Sequence, residues 1–203
     1  MVAAGIVNNH AADGDAAATR SALAAARVAP LGTEVVLLNG LAVVLSAHDL
    51  TGGVPAGLAD ALKAARARGA VLVVTFHVTG PPSFLPKPEL EEAVGLALDA
   101  GATVIAAHGT HAVARVERRG GAVIAWGLGN LVFACRCTEE TDGLVLRVEL
   151  DANGRVTRAE AIPIEAGLHG RDAALARDPA LALKLLESLG SSPGEQRVDR
   201  LRF

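Results

Sequence analysis

The chain has 203 residues, 51% of them hydrophobic, and a formal net charge of −3, enough apolar material for one substantial core. Its nineteen Lys and Arg residues are dispersed apart from Arg115, Arg118 and Arg119, a distribution that excludes a nucleic-acid footprint. No apolar stretch approaches the ~20 residues of a membrane span and the opening residues lack a signal-peptide pattern, so as written the chain is expected to be cytoplasmic.

Val2 to Val7 reads as a short buried strand ending at Asn8, Asn9 and His10. Met1 leads into it without a cap or loop, which predicts a further amino-terminal portion and, with it, a route to cell-envelope association. Asp15 is the expected N-cap of a helix through Ala26. Thr33 to Leu38 and Leu41 to Ser46 form a hairpin around Asn39-Gly40, and His48 and Asp49 then enter a glycine-rich loop. An amphipathic helix over 56 to 68 stops at Gly69, and the strand Val71 to Phe76 ends at His77. The next eleven residues, VTGPPSFLPKP, hold four prolines and predict a semi-rigid rim over whatever His77 faces. Pro88 opens a helix that runs to Gly101, and the strand Thr103 to Ala107 leads into His108-Gly109-Thr110-His111.

After His111 hairpins replace the long crossovers: Val113 to Arg118 with Ala122 to Trp126, then Gly127-Leu128-Gly129-Asn130 and Leu131 to Ala134, then Leu144 to Leu150 with Arg155 to Ile164. Gly127 and Gly129 read as turn positions and Asn130 as a residue holding a site loop. Asp178 and Pro179 start a last helix ending near Gly190, with a loose polar tail after it. The two cysteines, Cys135 and Cys137, are one residue apart, too close along a strand to bridge. They read as free thiols, with a C-x-C metal pair as the lesser alternative. The fold class is α/β, with mixed β-sheets flanked by helices and a two-sheet sandwich among the arrangements allowed. Residues 1–165 form the main domain and 166–203 a C-terminal helix and tail.

Parallel strands of an α/β sheet deliver their carboxyl ends to one edge, where ligands bind. The tips after Val7, Phe76 and Ala107 therefore meet in one cleft, and His77, His108 and His111 at strand ends suit a metal site. His48 and His169 read as turn or surface residues.

Four segments in this order resemble the capsule-synthesis CapA, or poly-γ-glutamate synthesis, family of the calcineurin-like metallophosphoesterase superfamily. IVNNHAAD at 6–13 is similar to the family's A-N-N-H segment, and VVTFHVTG at 73–80 to S-F-H-W-G. DAGATVIAAHGTHAV at 99–113 is similar to D-A-G-A-D-x-V-I-G-H-H-P-H-V, and IAWGLGNLVF at 124–133 to Y-S-L-G-N-F-V-F. The family's Trp and Gly after the central His are Val78 and Thr79 here, and the second His of H-H-P-H is Gly109. In the superfamily, carboxylate-bearing Asp-x-His and Gly-Asp segments precede the Asn-His segment, and this sequence starts after that point.

The resemblance implies a metallophosphoesterase-like fold and a metal-dependent hydrolase of phosphoester or γ-glutamyl bonds in capsule biosynthesis. It makes Asn9, His77 and one of His108 or His111 candidate metal ligands and His10 the proton donor or transition-state stabiliser. One divalent ion (Mn, Zn or Fe) suits this uncharged donor set, since the only acids near the tips are Asp13, Asp15 and Asp49. The implied partner is an anionic polymer or phosphoester substrate. The alternative is a non-catalytic polymer-binding or assembly domain that has lost part of the metal site.

Overall fold

The structure is a computed structural model that describes residues 3–10, 13–133, 141–196 and 199–203. Cys135 and Cys137, with the expectations attached to them, lie outside the described residues.

The chain opens with β1 (Ala3–Gly5), α1 (Ala16–Ala25) and β2 (Ala29–Leu31), followed by β3 (Thr33–Leu38), β4 (Leu41–Asp49), α2 (Leu58–Arg66) and β5 (Val71–His77). Then come α3 (Pro88–Asp99), β6 (Val104–His108), β7 (Val116–Arg119), β8 (Ala122–Ala125) and β9 (Val132–Phe133). The remainder is β10 (Asp142–Leu150), β11 (Val156–Glu165), β12 (Gly167–Leu168), β13 (Ala174–Leu175), α4 (Pro179–Ser188), β14 (Glu195–Gln196) and β15 (Leu201–Arg202).

Six strands make the main sheet in the order β3-β4-β5-β6-β8-β7. Strands β4, β5, β6 and β8 run parallel, and hairpin partners β3 and β7 close the two edges in antiparallel sense. Alternation along each strand then divides the core in two. Leu72, Val74 and Phe76 of β5 and Ile105 and Ala107 of β6 pack against α2 and α3, together with Leu62, Leu90 and Val94. Ala106, Val123 and Ala125 face the other way, onto β10, β11, β15 and α4 through Leu144, Ala159, Ala161, Leu183, Leu186 and Leu201. The second sheet has the order β10-β11-β15-β14, with β13 on β11. The two sheets therefore lie face to face, with α2 and α3 on the outer side of the main sheet and α4 packed with the second, a mixed α/β architecture consistent with a metallophosphoesterase-like fold. With aromatics at 2% of the sequence, the core is aliphatic, and each fully buried Leu or Phe contributes about 1.5–3 kcal/mol.

Two expectations are corrected. Strand β1 is short and half exposed, and it pairs with β2 in a separate two-stranded parallel sheet instead of joining the main one. The segment after α4 is not loose. Strands β14 and β15 form a hairpin that docks on β11, and Leu201 is fully buried there. Beside it the fully buried Glu160 takes an ion pair from Arg158 and others from Arg202 at 3.3 Å and Arg200 at 3.5 Å. Burial alone would push the Glu160 carboxyl up, but the hydrogen bond and charge of Arg158, with Arg200, hold it below the usual range. No helix among the described residues is long and apolar enough to cross a membrane.

Candidate functional site

Register places three polar side chains in one row. Asp49 of β4 stands opposite His77 of β5, and His77 opposite His108 of β6. Paired residues on neighbouring strands share a face, and by alternation this row lies on the face turned away from α2 and α3. Asp49 is not free to reach out, because its Oδ1 accepts from the Thr51 amide at 2.9 Å and the Thr51 hydroxyl at 2.5 Å.

His77 is buried, and its Nε2 lies 2.8 Å from the Asn9 amide oxygen. That oxygen accepts, so Nε2 carries the hydrogen and Nδ1 keeps its lone pair. Nδ1 in turn lies 3.2 Å from Nδ1 of His108. Burial pulls both imidazoles below the ordinary histidine value, with the Asp49 charge opposing it weakly. For His108 the charge of His77 adds to burial, and the value falls to about 4. At neutral pH both rings are uncharged, the state that ligates metals.

Gly109 permits this arrangement. Its φ of +104° is left-handed, and a Cβ there would stand 2.6 Å from His77 Cε1 and 2.7 Å from the Val78 carbonyl oxygen. With the backbone as it runs here, any side chain at 109, the family's second histidine included, would meet the His77 ring and the Val78 carbonyl.

His10 sits in a turn closed by its own amide, which donates to Asn8 Oδ1 at 2.8 Å. Its Nδ1 meets the Asp13 carboxylate at 2.5 Å. Asp13, by sequence only one of the acids near the tips, is thus the partner of His10, and its i, i+3 spacing from that histidine was the signal of the pair. Asp15 has the expected capping role, accepting from the Ala17 and Ala18 amides. His111 has a left-handed φ of +59°. Its Nδ1 lies 2.8 Å from Asn130 Oδ1, and its ring meets Phe133 edge-on at 4.8 Å.

One cleft of about 700 Å³ gathers these groups: Asn9, His10, Asp13, His77, His108 and His111 all line it. All five residues singled out in the sequence thus meet, even though β1 lies outside the main sheet. Thr79 also lines the cleft, and the Lys87 ammonium donates to its carbonyl, which brings a cation to the proline-rich rim. His48 stands elsewhere, bonded to the Ser46 hydroxyl at 2.8 Å, and neither it nor His169 lines the cleft.

The donor set suits one dication. Two nitrogens each about 2.0–2.1 Å from a tetrahedral zinc are separated by about 3.3 Å, close to the 3.2 Å between the two Nδ1 atoms. The Asn9 oxygen on Nε2 of His77 is the outer-shell bond that fixes a ligating histidine's tautomer. Among the described residues no three His, Cys, Asp or Glu side chains gather at one point, so His111 joins the cleft without joining the pair.

A comparison with curated proteins finds none that matches. The model of the family described as "Bacterial capsule synthesis protein PGA_cap" matches residues 3–135, from β1 through β9, a span that holds every histidine of the cleft. With more than half of its length matched and the four motif segments meeting in one cleft, the chain belongs to the family of bacterial capsule synthesis proteins.

Proposed function

We propose that the cleft is a hydrolytic site for one divalent ion (manganese, zinc or iron) acting on phosphoester or γ-glutamyl bonds of an anionic capsule polymer such as poly-γ-glutamate. The observation that carries this reading is the meeting of two uncharged imidazoles, Nδ1 to Nδ1, with a carboxylate-held third, His10, in one cleft. His77 and His108 would hold the ion through Nδ1, with His111 as a further donor and Asn9 fixing the His77 ring from its Nε2 side. A bound dication supplies Lewis acidity and lowers the pKa of water to ~7.

The chain's own groups do the rest. Asp13 orients the His10 ring through Nδ1, leaving Nε2 to pass a proton to the departing oxygen or nitrogen. Lys87 on the rim favours an anionic chain in the cleft.

A second reading, a polymer-binding or assembly domain without catalysis, draws on a specific observation. Both nearby carboxylates are engaged, Asp13 by His10 and Asp49 by Thr51. The donors left over are uncharged and do not offset a dication.

Elemental analysis of the purified chain beside His77→Ala and His108→Ala decides between them. Near-stoichiometric metal that is lost in both variants supports the hydrolytic site. Its absence from all three, with polymer binding that survives chelation and His108→Ala, supports the binding domain.

A further inference from the structure

The Gly127 to Asn130 segment is held rigidly from both sides. The Ala114 amide donates to the Gly127 carbonyl at 3.0 Å and the Leu128 amide to the Ala107 carbonyl at 3.0 Å, which tie the segment to the β6 exit. The Leu144 amide donates to the Leu128 carbonyl at 2.8 Å and ties it to β10. Gly129, at φ +66°, passes so close to the Asp142 carbonyl that a Cβ would fall onto it, and a Cβ on Gly143 would fall onto the Asn130 carbonyl. Asn130 is therefore buried on a fixed platform, 6% exposed, with its amide oxygen 2.8 Å from His111 Nδ1.

His111 pays for its place. A non-glycine residue with left-handed backbone is strained and persists where the surroundings impose it, commonly at functional sites. Phe133, edge-on at 4.8 Å, and Asn130 together leave the ring little choice of orientation.

We infer that Asn130 is a positioning residue that sets the tautomer of His111. A carbonyl oxygen accepts only, so the ring hydrogen is placed on Nδ1 and the lone pair on Nε2. Nε2 is then the nitrogen that His111 offers to the cleft it lines. The inference deepens the metal reading of the cleft and rests on it for the purpose of that lone pair. It also creates a symmetry with the other side of the cleft, where Asn9 places the hydrogen of His77 on Nε2 and frees Nδ1. His77 and His111 are each committed to one nitrogen by one asparagine.

Two measurements on the full chain test this. Long-range proton–nitrogen correlation spectra of the metal-free protein identify the His111 tautomer, and titration with zinc alone gives affinity. The expected result is an Nδ1–H tautomer in the wild type, lost in Asn130→Ala with a 10–100-fold weaker zinc affinity. Asn130→Asp, which still accepts from Nδ1–H, keeps the tautomer and binds zinc at least as tightly as the wild type. An Nε2–H wild-type ring, or a folded Asn130→Ala with unchanged tautomer and affinity, overturns the inference. Should Asn130→Ala fail to fold, the wild-type tautomer and the Asn130→Asp titration decide it alone. Zinc binding absent from the wild type would sink the metal reading, while the spectra independently decide whether Asn130 controls the ring.

Discussion

The Nδ1 atoms of His77 and His108 lie 3.2 Å apart, at paired positions on two adjacent parallel strands. Neither ring accepts a proton easily there, because each is shielded from water and a charge on His77 opposes one on His108.

A dependence of stability on pH follows. In the unfolded chain both histidines protonate near ~6.5, whereas in the metal-free fold His108 does so only at about 4. Their folded values lie below the unfolded ones, so the unfolded state takes up more protons as pH falls. Stability is complete above the unfolded value and is lost progressively down to about 4, by up to about 3 kcal/mol for His108. Urea midpoints across that range are expected to fall, and His108→Gln is expected to flatten the fall. An equally steep curve in His108→Gln would contradict this account.

Gly109→Ala is expected to be damaging beyond what a surface loop allows. The added methyl meets the His77 ring and the Val78 carbonyl, on a backbone at φ +104°. A loss of about 1–3 kcal/mol, accompanied by loss of bound metal, would be read from denaturant unfolding and elemental analysis together.

His10 and Asp13 are exposed, so replacing them leaves folding almost untouched. With a chromogenic phosphodiester as substrate, His10→Gln is expected to lower kcat by ~10²–10⁴-fold, the usual share of a positioned acid or base. Asp13→Asn is expected to lower kcat less, with little change in KM. Unchanged kcat in His10→Gln would remove His10 from the chemistry.

Glu160→Ala strands Arg158, Arg200 and Arg202 around an emptied buried position. The arginines left behind reach solvent, so the loss is that of charge-assisted hydrogen bonds, about 1.5–3 kcal/mol. Limited proteolysis is expected to cut first in 194–203, as β15 leaves β11.

Thr75 lies on the same strand face as His77, two residues below it, and its hydroxyl is buried without a partner. Thr75→Val keeps the shape and removes the unpaired group, so a gain of about 1 kcal/mol is expected. A thermal midpoint unchanged or lowered would mean that this hydroxyl is in use.

Much of this architecture was legible because local chemistry and pattern agreed. Asn39-Gly40 has positive φ at both residues, as its hairpin requires. Asp15 and Asp178 cap their helices, and Pro88 and Pro179 open theirs. The histidine tips were legible because a long apolar run that ends in a polar residue marks a strand leaving the core. The row through Asp49 was not, since register between strands separated by a whole helix is set by tertiary packing. The docking of Leu201 escaped for a similar reason. Strands of two residues have no period to detect, and their place is decided by a partner 40 residues away. The left-handed turn at His111 escaped because histidine carries no turn signal comparable to Asn-Gly.

The latch between Glu160 and β15 also bears on how the protein is made. Glu160 leaves the ribosome 42 residues before Arg202. Until then β11 has an open edge and a carboxylate without all of its arginines, while the main sheet and its cleft are already synthesised. Domains fold as they emerge, amino-terminal parts first, so the histidine cleft is assembled on a sheet whose outer layer is still unfinished. In the cell this interval is when an unpaired strand edge meets other chains. A slow or stalled synthesis over 166–200 therefore exposes the nascent protein to aggregation in a way that its finished structure does not reveal.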